Sequence, residues 1–202
     1  MLAKPGEDSD EKLAERCRDG DLEAFGLLYE RYRRPILAYL YQIVRDYDQA
    51  ACIGQDVFLK VFQRADRYDP TRRFSTWFYT VARNTALDWL QARNRRPQVS
   101  FADADEDSPG VPQPPDRALP EVDNPLQRAE AAEFVAKALA ELPQIYREII
   151  ELVVYQDMTY EAASEILGGV SLGTLRSRMF HALRLLRVKL EGIAGADGKR
   201  LF

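Results

Sequence analysis

Residues 72–96 interleave cations, aromatics and amides in a pattern suited to unpaired nucleic acid. Arg73, Trp77, Arg83, Asn84, Arg93, Arg95 and Arg96 lie in this one run. Aromatic faces stack on bases and guanidinium groups hold phosphates, which together make a single-strand platform. A second reading stands beside it. Phe74, Trp77, Phe78 and Val81 recur at helical spacing, and such a stripe is more often core than ligand site. A later run, Ser171 to Lys189, contains no acid. Its donors are Ser171, Thr174, Arg176, Ser177, Arg178, His181 and Arg184, a set suited to phosphates and base edges. An ordinary amphipathic helix with a basic solvated face would carry similar residues. The glycine turn in front of it favours DNA binding. His181 has no partner histidine with which to hold a metal.

The elements that position these side chains read as helices throughout. Asp8 to Arg18 forms a short helix with Ser9 or Asp10 as its cap. Leu22 to Val44 carries Phe25, Leu28, Tyr29, Tyr32, Ile36, Tyr39, Leu40 and Ile43 at steps of three and four. Pro35 inside it predicts a kink or break. Asp48 caps a helix over Gln49 to Ala65, and Asp66 to Arg72 forms a loop with Asp-Pro turn chemistry. The run from Arg72 to Arg96 is one helix, capped by Ser75 or Thr76 and stopped by Pro97. Further on, Leu126 to Leu142 and Gln144 to about Tyr155 are helical. Thr159 caps a short helix that Gly168-Gly169 ends, and Ser171 caps another running to about Glu191. The last pair is a helix-turn-helix. At about 100° per residue, Leu172, Leu175, Met179, Leu183, Leu186 and Leu190 share its inward face. Thr174, Ser177, Arg178, His181 and Arg184 lie opposite.

The totals bound what the chain does. It has 202 residues, enough for one mid-sized domain or two small ones, with a net charge of −4 that is poorly suited to a general basic coat. Pro97 to Asn124 is rich in proline and acid and predicts an extended linker. Asp103, Asp105 and Asp107 alternate like the start of a calcium loop. Ser108 and Pro114 stand where that loop needs glycine and glutamate, so calcium is excluded. Cys17 and Cys52 belong to no ligand cluster, and zinc is not expected. No nucleophile–base pair, phosphate-cradling glycine loop or convergent carboxylate pair is present, so neither catalysis nor a cofactor is expected. Residues 10–96 lack the strand alternation of a receiver domain, which counts against a two-domain response regulator. No signal peptide or bilayer-spanning run is visible, which predicts a cytoplasmic protein.

The order of the two halves resembles that of bacterial sigma factors of the compact extracytoplasmic-function (ECF) group. The carrying residues are Ala24-Phe25 through Tyr32, Gln55 to Leu59, Tyr68-Asp69-Pro70, Phe74 to Tyr79, Ala82-Arg83-Asn84, Leu142-Pro143 and the helix-turn-helix through Ser177-Arg178. The resemblance implies an all-α chain with a tail (1–9), sigma domain two (10–97), the linker (98–124), sigma domain four (125–192) and a second tail (193–202). Domain two would bind core RNA polymerase through Gln55, Asp56, Phe58 and Leu59. It would read and melt the minus-ten element with Tyr68, Arg73, Trp77, Arg83, Asn84, Arg93, Arg95 and Arg96. Domain four would place Ser171, Thr174, Arg176, Ser177, Arg178, His181 and Arg184 at the minus-thirty-five element. The implied partners are core polymerase, promoter DNA and a separate anti-sigma factor. The family often has two acids where this chain has Ala51-Cys52, and Gly168-Gly169-Val170 is one residue longer than the usual turn. A stand-alone regulator and a sigma-derived interaction protein are the alternatives.

Overall fold

The computed structural model describes residues 8–95 and 125–196. Arg96 and the acidic linker lie outside them. Every regular element among the described residues is helical. The first unit holds α1 (Asp10–Arg18), α2 (Leu22–Val44), α3 (Tyr47–Gln63), a 3-10 turn (Ala65–Arg67) and α4 (Phe74–Arg95). Ser9 caps α1 by accepting from the Lys12 amide, and Asp21 caps α2 by accepting from Glu23 and Ala24. Helix α2 continues unbroken through Pro35. The lost backbone bond is outweighed there by the burial of Tyr32, Ile36, Tyr39 and Leu40.

Two caps differ from the sequence expectation. Asp46, not Asp48, accepts from the Gln49 amide at 3.0 Å, so α3 starts two residues sooner. At the start of α4, the Glu11 carboxylate reaches over from α1 and accepts from the Phe74 amide at 3.2 Å. Ser75 and Thr76 sit inside the helix, and Thr76 is buried. A distant carboxylate thus does what a local hydroxyl was expected to do.

The aromatic stripe of α4 is core. Phe74 and Phe78 are each 1% exposed and stack with centroids 5.6 Å apart. Tyr32 from α2 and Phe58 from α3 close on Phe78 at 4.9 and 5.2 Å. Burying each such ring contributes roughly 1.5–3 kcal/mol, so these side chains fix α4 against α2 and α3. Trp77 and Val81 remain half-buried at the margin of the core.

The second unit holds α5 (Pro125–Ala140), α6 (Gln144–Ile150), a wider π-helical turn (Glu151–Tyr155), α7 (Tyr160–Ile166) and α8 (Leu172–Ala196). Thr159 caps α7 by accepting from the Ala162 amide. Gly168 and Gly169 both have left-handed backbones, φ +85° and +80°. The Gly169 amide donates to the Ser164 carbonyl at 2.8 Å, which closes the end of α7. Ser171 then caps α8 by accepting from the Thr174 amide at 3.2 Å.

The units pack on each other, α6 against α2 and α7 against α4. Arg147 of α6 donates to the Gln42 carbonyl at 3.0 and 3.2 Å, and also to the Leu142 carbonyl. The last turn of α2 has no basic residue of its own. A cation from the other unit therefore sits at the negative end of its dipole.

Candidate nucleic-acid interface

In the first unit, the loop before α4 and the solvent face of α4 carry the candidate residues. Asp69 shapes the loop: its carboxylate accepts from the Thr71 hydroxyl at 2.7 Å and the Thr71 amide at 2.9 Å. Those bonds hold Asp69 ionised below the usual carboxylate range. Tyr68 donates to the Arg72 carbonyl at 2.6 Å and is buried, which pushes its phenol pKa up. Its ring lies 5.3 Å from Trp77 and 5.6 Å from Phe74. Tyr68 therefore braces the loop in this arrangement, with its ring turned away from solvent. Trp77 is the more accessible ring. Arg73, Asn84, Arg93 and Arg95 are exposed. The Arg93 guanidinium lies over the Trp89 ring at 5.4 Å, so its planar fork is already oriented.

Arg83 is different. Its Nε donates to Glu148 of α6 at 2.9 Å, across the junction between the units. Arg72, which the sequence reading passed over, likewise donates to Glu165 of α7 at 2.9 Å. Arg72 and Glu165 stand at a cleft of about 530 Å³ between the units. Arg67, Tyr68, Arg72 and Trp77 line one wall, and Glu161 and Glu165 line the other.

In the second unit, the buried face of α8 is not the one expected from spacing. Leu175, Met179 and Ala182 are buried, while Leu183 is 50% exposed. Arg178 is drawn to half-burial, a correction to its outward placement, because the packed face centres on Leu175 and Ala182. Ser171, Thr174, Arg176, Ser177, His181 and Arg184 are exposed. The Ser171 and Thr174 hydroxyls lie 2.8 Å apart, and Arg176 sits over the Tyr160 ring of α7 at 5.8 Å. Phe180 joins this surface at 65% exposure, edge-on to His181 with centroids 5.6 Å apart. The sequence reading missed it, although it stands four residues from both Arg176 and Arg184, one helical step from each.

On α3, Gln55, Asp56 and Leu59 are exposed. Phe58 is buried against Tyr29 at 4.8 Å and Phe78 at 5.2 Å. It packs inward and holds the helix in place, while Gln55, Asp56 and Leu59 face solvent. Among the described residues, no group of three or more His, Cys, Asp or Glu is arranged to hold a metal. No helix among them is long and apolar enough to cross a membrane.

Comparison with known proteins places both halves. The model for sigma-70 region 2 matches residues 28–96, and that for sigma-70 region 4 matches residues 135–186. The chain is 32% identical to the RNA polymerase sigma-H factor of Pseudomonas aeruginosa over 188 residues, 92% of this chain and 95% of that protein. It is 32% identical to the ECF RNA polymerase sigma-E factor of Escherichia coli K12 over 190 residues, 91% and 95% of the two chains. Among solved structures it is similar to CnrH in complex with the cytosolic domain of CnrY. The TM-score is 0.59 at 25% identity, over 94% of this chain and 99% of that one. The chain belongs to the extracytoplasmic-function group of sigma-70 factors, the subunits that direct RNA polymerase to promoters.

Proposed function

We propose that the chain divides promoter recognition between the two surfaces described above, with no bond-making chemistry of its own. The observation that carries this reading is α8: an acid-free helix, capped by Ser171, with Arg176, Ser177, Phe180, His181 and Arg184 facing solvent. The donors suit phosphates and purine edges, and the Phe180 ring suits a thymine methyl in the major groove of the minus-thirty-five element. Arg73, Trp77, Arg83, Asn84, Arg93 and Arg95 serve the melted minus-ten strand, where stacking and charge offset the few kcal/mol of extruding a base. Gln55, Asp56 and Leu59 face core polymerase. The reading makes the protein cytoplasmic, working beside polymerase.

An anti-sigma factor is the regulator that family membership implies, and the similar CnrH was solved bound to a partner, the cytosolic domain of CnrY. The test is a gel shift on genomic promoter fragments. Core polymerase plus this chain should retain a subset that neither retains alone, and Leu59→Asp should lose it. Retained fragments that share no pair of spaced motifs would overturn the reading.

A further inference from the structure

Helix α4 begins with the wrong charge for a helix start. Arg72 and Arg73 precede its first residue and no acid lies in its first turn, whereas the positive end of a helix dipole favours acids. Arg73 belongs to the surface proposed for the minus-ten strand, so neutralising it locally would remove a contact. The backbone bond that opens α4 is also long, with the Trp77 amide donating to the Arg73 carbonyl at 3.4 Å. A start of this kind frays unless another group holds it. Glu11 of α1 is that group. Its half-buried carboxylate accepts from the Phe74 amide at 3.2 Å and brings negative charge to the same end. The adjacent Asp10 anchors α1 in turn, accepting from the Tyr32 hydroxyl at 2.6 Å and from Arg31 at 2.7 Å. The Tyr32 ring packs on Phe74 and Phe78 with centroids 5.6 and 4.9 Å away. Two consecutive acids of α1 thus tie α2 and the start of α4 together. Phe74 passes the restraint on, since its ring lies 5.6 Å from Tyr68 and 5.9 Å from Trp77. Helix α1 precedes residues 28–96, the part matched to sigma-70 region 2.

We infer that Glu11 is a positioning residue for minus-ten recognition: from α1 it pins the first turn of α4 and thereby aims Arg73 and Trp77. It touches no nucleic acid itself. Bonded to a backbone amide, its carboxylate offsets the charge of the two arginines on the helix while leaving their guanidinium groups free for phosphates. Without it the first turn frays, and Arg73 and Trp77 sample several directions. Binding must then order them again, which weakens it. The farther motif, read by α8, does not depend on this turn. The inference rests on the promoter reading, and its test separates the two.

The experiment compares full-length wild type, Glu11→Ala, Glu11→Gln and Asp21→Ala, each assembled with core polymerase. Glu11→Gln keeps an oxygen that can accept from the Phe74 amide. Asp21→Ala removes a cap of the same kind from α2 and controls for lost stability. Each holoenzyme is offered one pool of genomic promoter fragments, and the retained fragments are sequenced for base preference at each shared motif. Hydrogen exchange of the free chain reports the first turn of α4. Glu11→Ala should speed that exchange and relax preference at the nearer motif about five-fold or more, the scale of a lost cap, with the farther motif unchanged. Glu11→Gln should recover most of the preference, and Asp21→Ala should leave both motifs as in wild type. Equal relaxation at both motifs, the same relaxation in Asp21→Ala, or no recovery in Glu11→Gln would overturn the positioning role. Faster exchange with an intact nearer motif would overturn it too, leaving Glu11 as a stabilising contact alone. Fragments retained by wild type that share no motif would instead defeat the promoter reading, and the positioning role with it, whatever the exchange shows.

Discussion

Single side chains here do work that their type alone does not reveal. Glu148 reads in the sequence as a solvated helix acid, yet it is buried and paired with an arginine 65 positions away. No periodicity rule reaches across that distance, so spacing singles out Arg83 as a candidate without its partner. Phe58 and Tyr68 show the converse. Both stand within the family pattern, and burial against neighbouring rings makes them supports. Phe180 tests direct readout. Phe180→Ala should weaken holoenzyme binding to its preferred promoter by ~1–3 kcal/mol, the scale of one base contact, with little change in melting temperature, because the ring is exposed. A titration against that promoter checks it, and equal weakening on random DNA would assign the ring to general contact. The Tyr39 and Tyr79 hydroxyls are fully buried and meet no hydrogen-bond partner among the described residues. Tyr79→Phe should therefore leave stability within about 1 kcal/mol of wild type or raise it, as measured by urea unfolding.

Helices were legible where packing and caps lie close in sequence. The α4 stripe is core because Phe74, Phe78 and Ala82 recur on one face, and the reading from spacing was sound. Start points were less legible. Asp46 and Asp48 are equally good caps on composition, and only the path of the chain selects Asp46. The start of α4 is satisfied by Glu11, which comes from another helix and leaves no local signal. The face of α8 was misjudged for a similar reason. Leu183 was assigned inward for its hydrophobicity, but the small Ala182 lets neighbouring helices approach and the buried face centres there. The turn before α8 was read correctly from Gly168-Gly169, because both positions need the left-handed backbone. Gly169→Ala has space for a methyl group but not the favoured conformation. It should cost ~1–2 kcal/mol, seen as a lower thermal midpoint, together with weaker promoter binding as α8 is re-aimed. An unchanged midpoint would show that the turn can be rebuilt.

For the molecule as a whole, the division into two helical units followed from composition and motif order, whereas their packing did not. The junction draws on groups scattered from Gln42 to Glu165, and each has an ordinary local environment in the sequence. Burial there has a consequence for pH. Glu151 lies in the π-helical turn, 4% exposed, and accepts from Gln156 at 2.9 Å. Tyr39 and Tyr79 of the first unit and Tyr155 of its own turn feel its charge. Arg83, Glu148 and Arg147 lie at the same side of this junction, and the Arg72–Glu165 pair adds further charge to it. Burial pushes the Glu151 carboxyl up to about 7, against 4.5 in an unfolded chain. The folded chain thus holds more protons between those values, so stability should fall as pH rises from about 4.5 to 7 and level off above. The full swing is at most about 3 kcal/mol. Glu151→Gln should flatten that part of the profile, read from melting curves at pH 5 to 8. An unaltered slope would assign the pH dependence to other groups.

The most direct test of the account is transcription itself. Purified core polymerase, this chain and a pool of genomic promoter fragments would be combined, and the starts of new transcripts sequenced. The account predicts starts that share two spaced upstream motifs, with start selection depressed by Asn84→Ala at the nearer motif and by Arg184→Ala at the farther one. Starts without a shared motif, or motif-directed starts indifferent to both substitutions, would contradict it.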